Sequence, residues 1–195
     1  MLAEDLPKDF MIDDTFSEAQ EQAILNAAEE WNQIGREYLG YDIIIYRGRY
    51  AKDGFSPMEN LDDGNNVVYN VDERDEWYDY LYSTYITGKY EGTDASILGF
   101  GVQEDILLFD FSIAPSVDDE SRTQAEYLHF LYYVVVHEFG HWIALQHINF
   151  LNSNDEPPVM YPEGSPKDVA GQTSPFLTKL DIKAFCAVYD CIKQP

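Results

Sequence analysis

The chain has 195 residues, of which 45% are apolar, and its 12 Lys+Arg against 36 Asp+Glu give a formal charge of −24. The apolar content excludes a disordered chain, and the length suits one domain. So acidic a surface repels phosphate, which argues against nucleic acids and anionic membranes as partners. No apolar run approaches the ~18 to 20 residues that span a bilayer, and the polar start of the chain does not resemble a signal peptide.

Residues 1–14 are expected to form an extended acidic lead-in. A helix follows, because Ser17 and Gln20 have the spacing of a capping box. Gly40 is a plausible stop for this helix. The apolar residues recur at helical spacing and predict one buried stripe: Ala23, Ile24, Ala27, Ala28, Trp31 and Ile34.

Four segments have the composition of strands, namely residues 41–46, 67–71, 97–101 and 105–113. The Asp/Asn/Gly cluster at residues 62–66 predicts a turn. The same cluster could bind calcium, although it lacks the alternating oxygen ligands of an EF-hand loop. Calcium therefore stays an open alternative without a specific motif.

The acidic, Tyr-rich residues 72–94 predict either an irregular excursion or a short helix, with tyrosines that line a cleft or cover the flank of the sheet. Beyond them, Thr123 and Glu126 form a capping box before a long apolar helix over about 124–144. Thr178 and Asp181 open the last helix. This order of elements predicts an α+β fold.

Two cysteines, Cys186 and Cys191, are too few for a disulfide framework. Within one helix their Cα atoms would lie about 8 Å apart, beyond disulfide reach. A bridge requires the last helix to end near Asp190, so both states remain open.

The chemistry of the chain is concentrated at residues 137–147. His137 and His141 are spaced i and i+4, so a helix presents both imidazoles on one face, where they can share one zinc ion. Glu138 lies beside the first ligand and can reach a water on the open side of the metal. We therefore predict His137 and His141 as metal ligands and Glu138 as the general base.

His147 follows His141 by six residues, where a chain that leaves the helix and doubles back delivers a third nitrogen. Three histidines and one water make the open site of a catalytic zinc, whereas a structural site closes with a fourth protein ligand. The fourth histidine, His129, lies two turns upstream and is expected on the surface or behind the ligands.

The pattern His137-Glu138-x-x-His141-x-x-Ala144-x-x-His147 resembles the HExxHxxGxxH motif of the metzincin zinc metallopeptidases. Residues 159–162, Val-Met-Tyr-Pro, resemble the Met-turn in the form found in the matrixin (matrix-metalloproteinase-like) branch. Met160 would then be the structural Met-turn residue and Tyr161 a substrate-binding residue. Ala144 replaces the usual Gly, which predicts a strained or adjusted turn.

The resemblance implies a zincin-like α+β fold. Its parts are a twisted, mostly parallel sheet of about four to five strands with an antiparallel edge strand, an active-site helix, the Met-turn and a C-terminal helix. Residues 110–113 are similar to the edge strand before the active-site helix, and a peptide would pair along about 106–113. Residues 1–195 would form a single catalytic domain, with the lead-in 1–14, an upper subdomain 15–147 and a lower subdomain 148–195.

The function predicted from these features is that of a zinc-dependent endopeptidase with one catalytic zinc ion. One alternative is a non-catalytic binding or adhesion module of metzincin fold that keeps its zinc. A second is a gluzincin-type peptidase whose third ligand is Glu156 or Glu163. The expected partners are protein or peptide substrates, with no nucleic acid and no membrane span, for a monomer. The resemblance further implies a secreted, periplasmic or surface-anchored protein.

Overall fold

The computed structural model describes residues 6–51, 63–71, 78–80, 83, 98–102, 104–113, 123–149, 157–162 and 175–193. Five strands and several helices follow one another along these residues. The elements in chain order are β1 (Lys8–Asp13), α1 (Glu18–Tyr38), β2 (Ile44–Tyr50), β3 (Val67–Val71), β4 (Gly99–Val102), β5 (Asp105–Phe109), α2 (Asp110–Ile113), α3 (Gln124–Trp142) and α4 (Lys179–Val188).

The five strands form one sheet in the order β2-β1-β3-β5-β4. The pairs β1–β2, β1–β3 and β3–β5 are parallel, while β4 runs antiparallel to β5 at the edge. Parallel neighbours need a crossover connection, and α1 supplies it between β1 and β2. The predicted mostly parallel sheet with an antiparallel edge strand is confirmed.

The lead-in contains a strand that lies inside the sheet. β1 pairs with β2 on one side and β3 on the other, and its Phe10 and Ile12 are buried in alternation. Asp13 at its end is fully buried and accepts hydrogen bonds from the backbone N–H groups of Thr15 and Asn70. The sequence predicted an extended chain for residues 1–14. Because this stretch is acidic and has few apolar residues, its pattern did not show that the strand lies between two others in the sheet.

The prediction that residues 106–113 form the edge strand was wrong. Residues 105–109 form β5, whose five side chains are all buried between β3 and β4, and residues 110–113 turn into the short helix α2. A strand covered on both faces carries a continuous apolar run, as Ile106–Phe109 does. The edge of the sheet is β4, formed by Gly99–Val102.

The second strand begins later than predicted, at Ile44 rather than residue 41. Asn32 of α1 explains this start. Its side-chain oxygen accepts from the N–H groups of Ile43 and Ile44, and its amide donates to the Ile44 carbonyl. The chain is held by the helix at this point before it enters the sheet.

Helices α1 and α3 pack against one face of the sheet. Trp31 of α1 is fully buried, and its indole N–H donates to the Val136 carbonyl of α3 at 2.9 Å. On the opposite face, Tyr78 packs edge-on against Phe109 and Phe111. Apart from 78–80 and 83, the Tyr-rich segment 72–94 lies outside the described residues. In the part of the chain described here, no helix has the length and apolar character of a membrane span.

Candidate metal centre

The three predicted histidine ligands lie together at the end of α3. His137 and His141 face the same side of the helix, with ring centroids 4.7 Å apart. His147 reaches them from the following loop, and its Nε2 lies 3.0 Å from the His141 Nε2. One ligand nitrogen from each ring falls within 4.8 Å of the other two. The structure therefore confirms that these side chains come together.

The turn after α3 brings His147 back to the helix. Leu145 N donates to the Gly140 carbonyl and Ala144 N donates to the His141 carbonyl, both at 2.9 Å. These two bonds form a Schellman motif, which places a left-handed residue after the helix. Ala144 is that residue, with φ of 70°. The expected strain at this position is thus present, without loss of the turn.

Lys8 of β1 also stabilises the end of α3. Its Nζ donates to the Trp142 carbonyl at 3.1 Å and lies 4.8 Å from the centroid of the Trp142 ring. A cation at a helix C-terminus is favoured by the helix dipole. The turn that carries the third histidine is therefore attached to the sheet.

Hydrogen bonds set the orientation of two of the rings. His137 Nδ1 lies 2.6 Å from the Val159 carbonyl oxygen, and His141 Nδ1 lies 2.9 Å from the Leu145 carbonyl oxygen. A carbonyl only accepts, so in both rings Nδ1 carries the proton and donates. The lone pair of each ring is then on Nε2, the atom that faces the other histidines.

Burial favours the neutral form of these rings. Burial, together with the neighbouring His141 and His147, lowers the pKa of His137 to about 3, although the bond to the Val159 carbonyl opposes the shift. Burial also lowers the pKa of His141. A metal ion binds histidine in its neutral form, here through the Nε2 lone pairs that face the other histidines.

The donor set fits a zinc ion. Nitrogens that are each ~2.0 to 2.1 Å from one zinc lie roughly 3 to 3.5 Å apart, and the His141–His147 separation of 3.0 Å agrees. The carbonyl partners on Nδ1 are the usual support for histidines that bind metal through Nε2. His137, His141 and His147 could therefore hold one zinc ion and leave a position open.

Glu138 is buried beside this cluster, with 6% of its surface exposed. Burial raises the pKa of its carboxyl to about 8. The side chain lies against Gly99 of the edge strand, and Gly101 of the same strand faces His141. Strand β4 therefore runs alongside the candidate metal centre, next to the predicted base.

The turn predicted to be the Met-turn packs against α3 beside His137. Met160 is fully buried, and its sulfur occupies the space that a side chain at Gly140 would need. The turn is closed by Tyr161 N, which donates to the Pro158 carbonyl at 3.1 Å. Tyr161 itself is half-buried, and its predicted substrate contact stays a prediction.

The sequence offers other candidates for this site. His129 packs on the ring of Phe176, at 5.1 Å between centroids, and does not belong to the histidine cluster. Glu156 and Glu163, the alternative third ligands, lie outside the described residues. At the turn preceding β3, Asp63 accepts from Asn65 N, as in an ordinary Asx turn.

Two residues near the centre were missed by the sequence analysis. Asp181 was noted only as part of the start of the last helix, yet its carboxylate also accepts from the backbone N–H groups of Val159 and Met160. Gly99 was noted only as part of a strand, yet it leaves the space in which Glu138 lies. Its signal was a glycine inside a strand, which often marks the close approach of another group.

No family model matches the chain, and no curated protein is significantly similar to it. Among solved structures, the archaemetzincin from Methanopyrus kandleri is similar, with 13% sequence identity and a TM-score of 0.48. The alignment covers 92% of this chain and 93% of that one. At this identity and TM-score, the function has to be inferred from the residues of the chain itself, and the comparisons do not support the matrixin branch.

Proposed function

We propose that this protein is a zinc-dependent endopeptidase of the metzincin type. The observation that supports it is the convergence of His137, His141 and His147, two of whose Nδ1 atoms are engaged by carbonyl groups so that Nε2 is left for metal. Glu138, the residue after the first histidine, provides a carboxyl group that can serve as a base. A purely structural zinc site needs no such base, so Glu138 favours a catalytic site.

These positions give each group a role in the proposed mechanism. A bound zinc ion would supply a Lewis acid that polarises the scissile carbonyl and lowers the pKa of a water molecule. His137, His141 and His147 would hold the ion. The Glu138 carboxyl, ionised by the nearby charge of the ion, would take the proton from the attacking water and pass it to the nitrogen of the leaving amine.

The substrate would be an extended peptide that pairs antiparallel with β4, the edge strand. Edge strands bind peptides through main-chain hydrogen bonds, and β4 carries Gly99 beside Glu138 and Gly101 beside His141. This replaces the pairing along residues 106–113, since β5 is interior. Tyr161, next to the Met-turn, would line the pocket for the residue after the scissile bond.

We propose that the protein acts outside the cytoplasm, as a secreted, periplasmic or surface-anchored monomer. The disulfide between Cys186 and Cys191 supports this, because such bonds persist in oxidising compartments. Calcium binding rests only on the Asp/Asn/Gly cluster at residues 62–66, and it stays a prediction. Membership of the matrixin branch rests only on the sequence resemblance at residues 159–162, and it stays a prediction too.

The deciding experiment compares the wild-type chain with Glu138→Gln in a peptide-library cleavage assay, with and without chelator. We expect cleavage only by the zinc-loaded wild type, while the variant keeps about one zinc per chain. His129→Gln is the matched control, because it alters another side chain of α3 outside the cluster, and it should retain activity.

Full activity of Glu138→Gln would overturn the mechanism. A wild-type chain that binds zinc tightly and cleaves no peptide would favour the non-catalytic binding module. Unchanged zinc affinity in His147→Ala would favour a carboxylate third ligand, as in the gluzincin alternative.

A further inference from the structure

Asp181 is a buried carboxylate at the start of α4, and it is surrounded by donors. Its Oδ2 accepts from Val159 N at 3.0 Å and from both Thr178 N and Thr178 Oγ1 at 2.8 Å. Its Oδ1 accepts from Met160 N at 3.0 Å. The side chain is fully buried. These four donors surround the two carboxylate oxygens.

One peptide group connects this carboxylate to the first histidine. The N–H of Met160 and the C=O of Val159 belong to the same peptide unit. Its N–H end meets Asp181, and its C=O end lies 2.6 Å from His137 Nδ1. A negative charge at the N–H end polarises the peptide and makes its carbonyl a stronger acceptor. A stronger acceptor on Nδ1–H makes Nε2 a better metal ligand.

The next carbonyl of the turn holds the chain directly after the third histidine. Ile148, which directly follows His147, donates its N–H to the Met160 carbonyl at 2.8 Å. The two carbonyl groups of Val159 and Met160 thus hold the ring of His137 and the chain after His147. Both are oriented by a turn whose N–H groups point at Asp181.

We propose that Asp181 is a positioning residue of the zinc site, which acts through the Val159–Met160 peptide on His137 and through the Met160 carbonyl on the segment of His147. The inference rests on the proposed zinc-binding function. It assigns a second role to Asp181, the N3 residue of the capping box of α4. The charge of Asp181 sets how strongly His137 binds zinc and where the segment of His147 lies.

The test measures zinc affinity by competition with a chromophoric chelator, for the wild type and Asp181→Asn. The amide keeps the shape and removes the charge, and we expect the zinc dissociation constant to rise by roughly 10- to 100-fold. The absorption bands of the Co²⁺-loaded variant should also shift. Asp13→Asn is the matched control, because Asp13 is equally buried and accepts two backbone N–H groups away from the histidines.

The outcomes separate this inference from the proposed function. A wild-type chain that does not bind zinc overturns the metal centre and this inference with it. If the wild type binds zinc and Asp181→Asn binds it equally well with the same Co²⁺ spectrum, the inference alone is overturned. A variant that loses only unfolding stability, with unchanged affinity of the folded fraction, likewise overturns the inference alone and shows Asp181 to be a structural cap.

A second variant covers the case in which Asp181→Asn does not fold. Thr178→Ala removes the hydroxyl that donates to Asp181 and also removes a helix cap, while the carboxylate keeps its charge. Ser17→Ala, which removes the cap of α1 in the same way, is its control. We expect weaker zinc binding by several-fold in Thr178→Ala alone, and equal affinity in both variants would overturn the proposal.

Discussion

Gly99 of the edge strand lies directly against Glu138 of α3. A Cβ at position 99 would lie 2.6 Å from Glu138 Cγ and 2.8 Å from both Cδ and Oε1. No side chain fits at this distance unless the carboxyl group moves. The position of the predicted base is therefore set by a residue of another element, 39 positions earlier in the chain.

Gly99→Ala is expected to impair catalysis without removing the metal. The added methyl group displaces the Glu138 carboxyl, and a misplacement of about 1 Å can cost on the order of 100-fold in rate. We expect a fall in kcat of at least roughly 10-fold by the same reasoning, with zinc affinity near that of the wild type. Peptide cleavage kinetics and zinc titration would measure the two effects.

Gly101→Ala is the control for that variant. It makes the same change on the same strand, but its Cβ would lie 4.0 Å from His141 Cβ, an ordinary contact. It should leave kcat near the wild-type value. Equal losses in both variants would show that the strand, rather than the contact with Glu138, is responsible.

Ala144→Gly is expected to stabilise the protein. Ala144 has φ of 70°, a region that costs a residue with a Cβ roughly 1 to 2 kcal/mol and costs glycine little. The free energy of unfolding in urea, measured with zinc chelated, should rise by about 1 kcal/mol. Ala125→Gly, at an exposed position of α3, should lower it by about 0.5 to 1 kcal/mol instead. A loss of stability at both positions would contradict the strain at Ala144.

Asp105 should make stability depend on pH. Burial raises the pKa of its carboxyl from 3.8 to about 7, with contributions from the charges of Asp63 and Glu104, and the bond from Val67 N opposes the shift. The folded state therefore binds this proton more tightly than the unfolded state. The resulting stabilisation is complete below pH about 4 and is lost as the pH rises through about 7.

Asp105→Asn removes this dependence, since an amide does not ionise. The free energy of unfolding of the variant, relative to the wild type, should rise between pH 5 and 7 by at most about 1.4 kcal/mol per pH unit and then level off. The difference between the two proteins isolates Asp105 from Glu30, whose pKa burial also raises. A difference that does not change with pH would contradict this assignment.

The disulfide should stabilise the end of α4. Cys186 and Cys191 are five residues apart, and between them Tyr189 is fully buried and donates its hydroxyl to the Ile143 carbonyl at 2.8 Å. Closing so short a loop is worth about 2 kcal/mol in the unfolded-chain model. Reductant should lower the free energy of unfolding by about that amount. The double variant Cys186→Ser with Cys191→Ser should show the lower value and no response to reductant.

Several features could be predicted from the sequence because they are local. The spacing of His137 and His141 places both rings on one helix face, since helix geometry is set by hydrogen bonds four residues apart. Capping boxes at Ser17 and Thr123 and the helix start at Thr178 were predicted for the same reason, and all three are present. The positive φ at Ala144 was expected because Ala stands where the motif that the chain resembles carries Gly.

The rest was decided by contacts between distant residues. Whether β1 lies inside the sheet, and whether β4 or β5 forms its edge, depends on strand pairing that no local pattern encodes. The bridge between Cys186 and Cys191 depended on where α4 ends. The contact of Gly99 with Glu138 and the bonds from Asp181 to the turn at Val159 and Met160 exist only because the sheet, α3 and α4 pack together. The sequence by itself thus determined which side chains make up the candidate metal centre, and the tertiary structure decided which residues hold them in place.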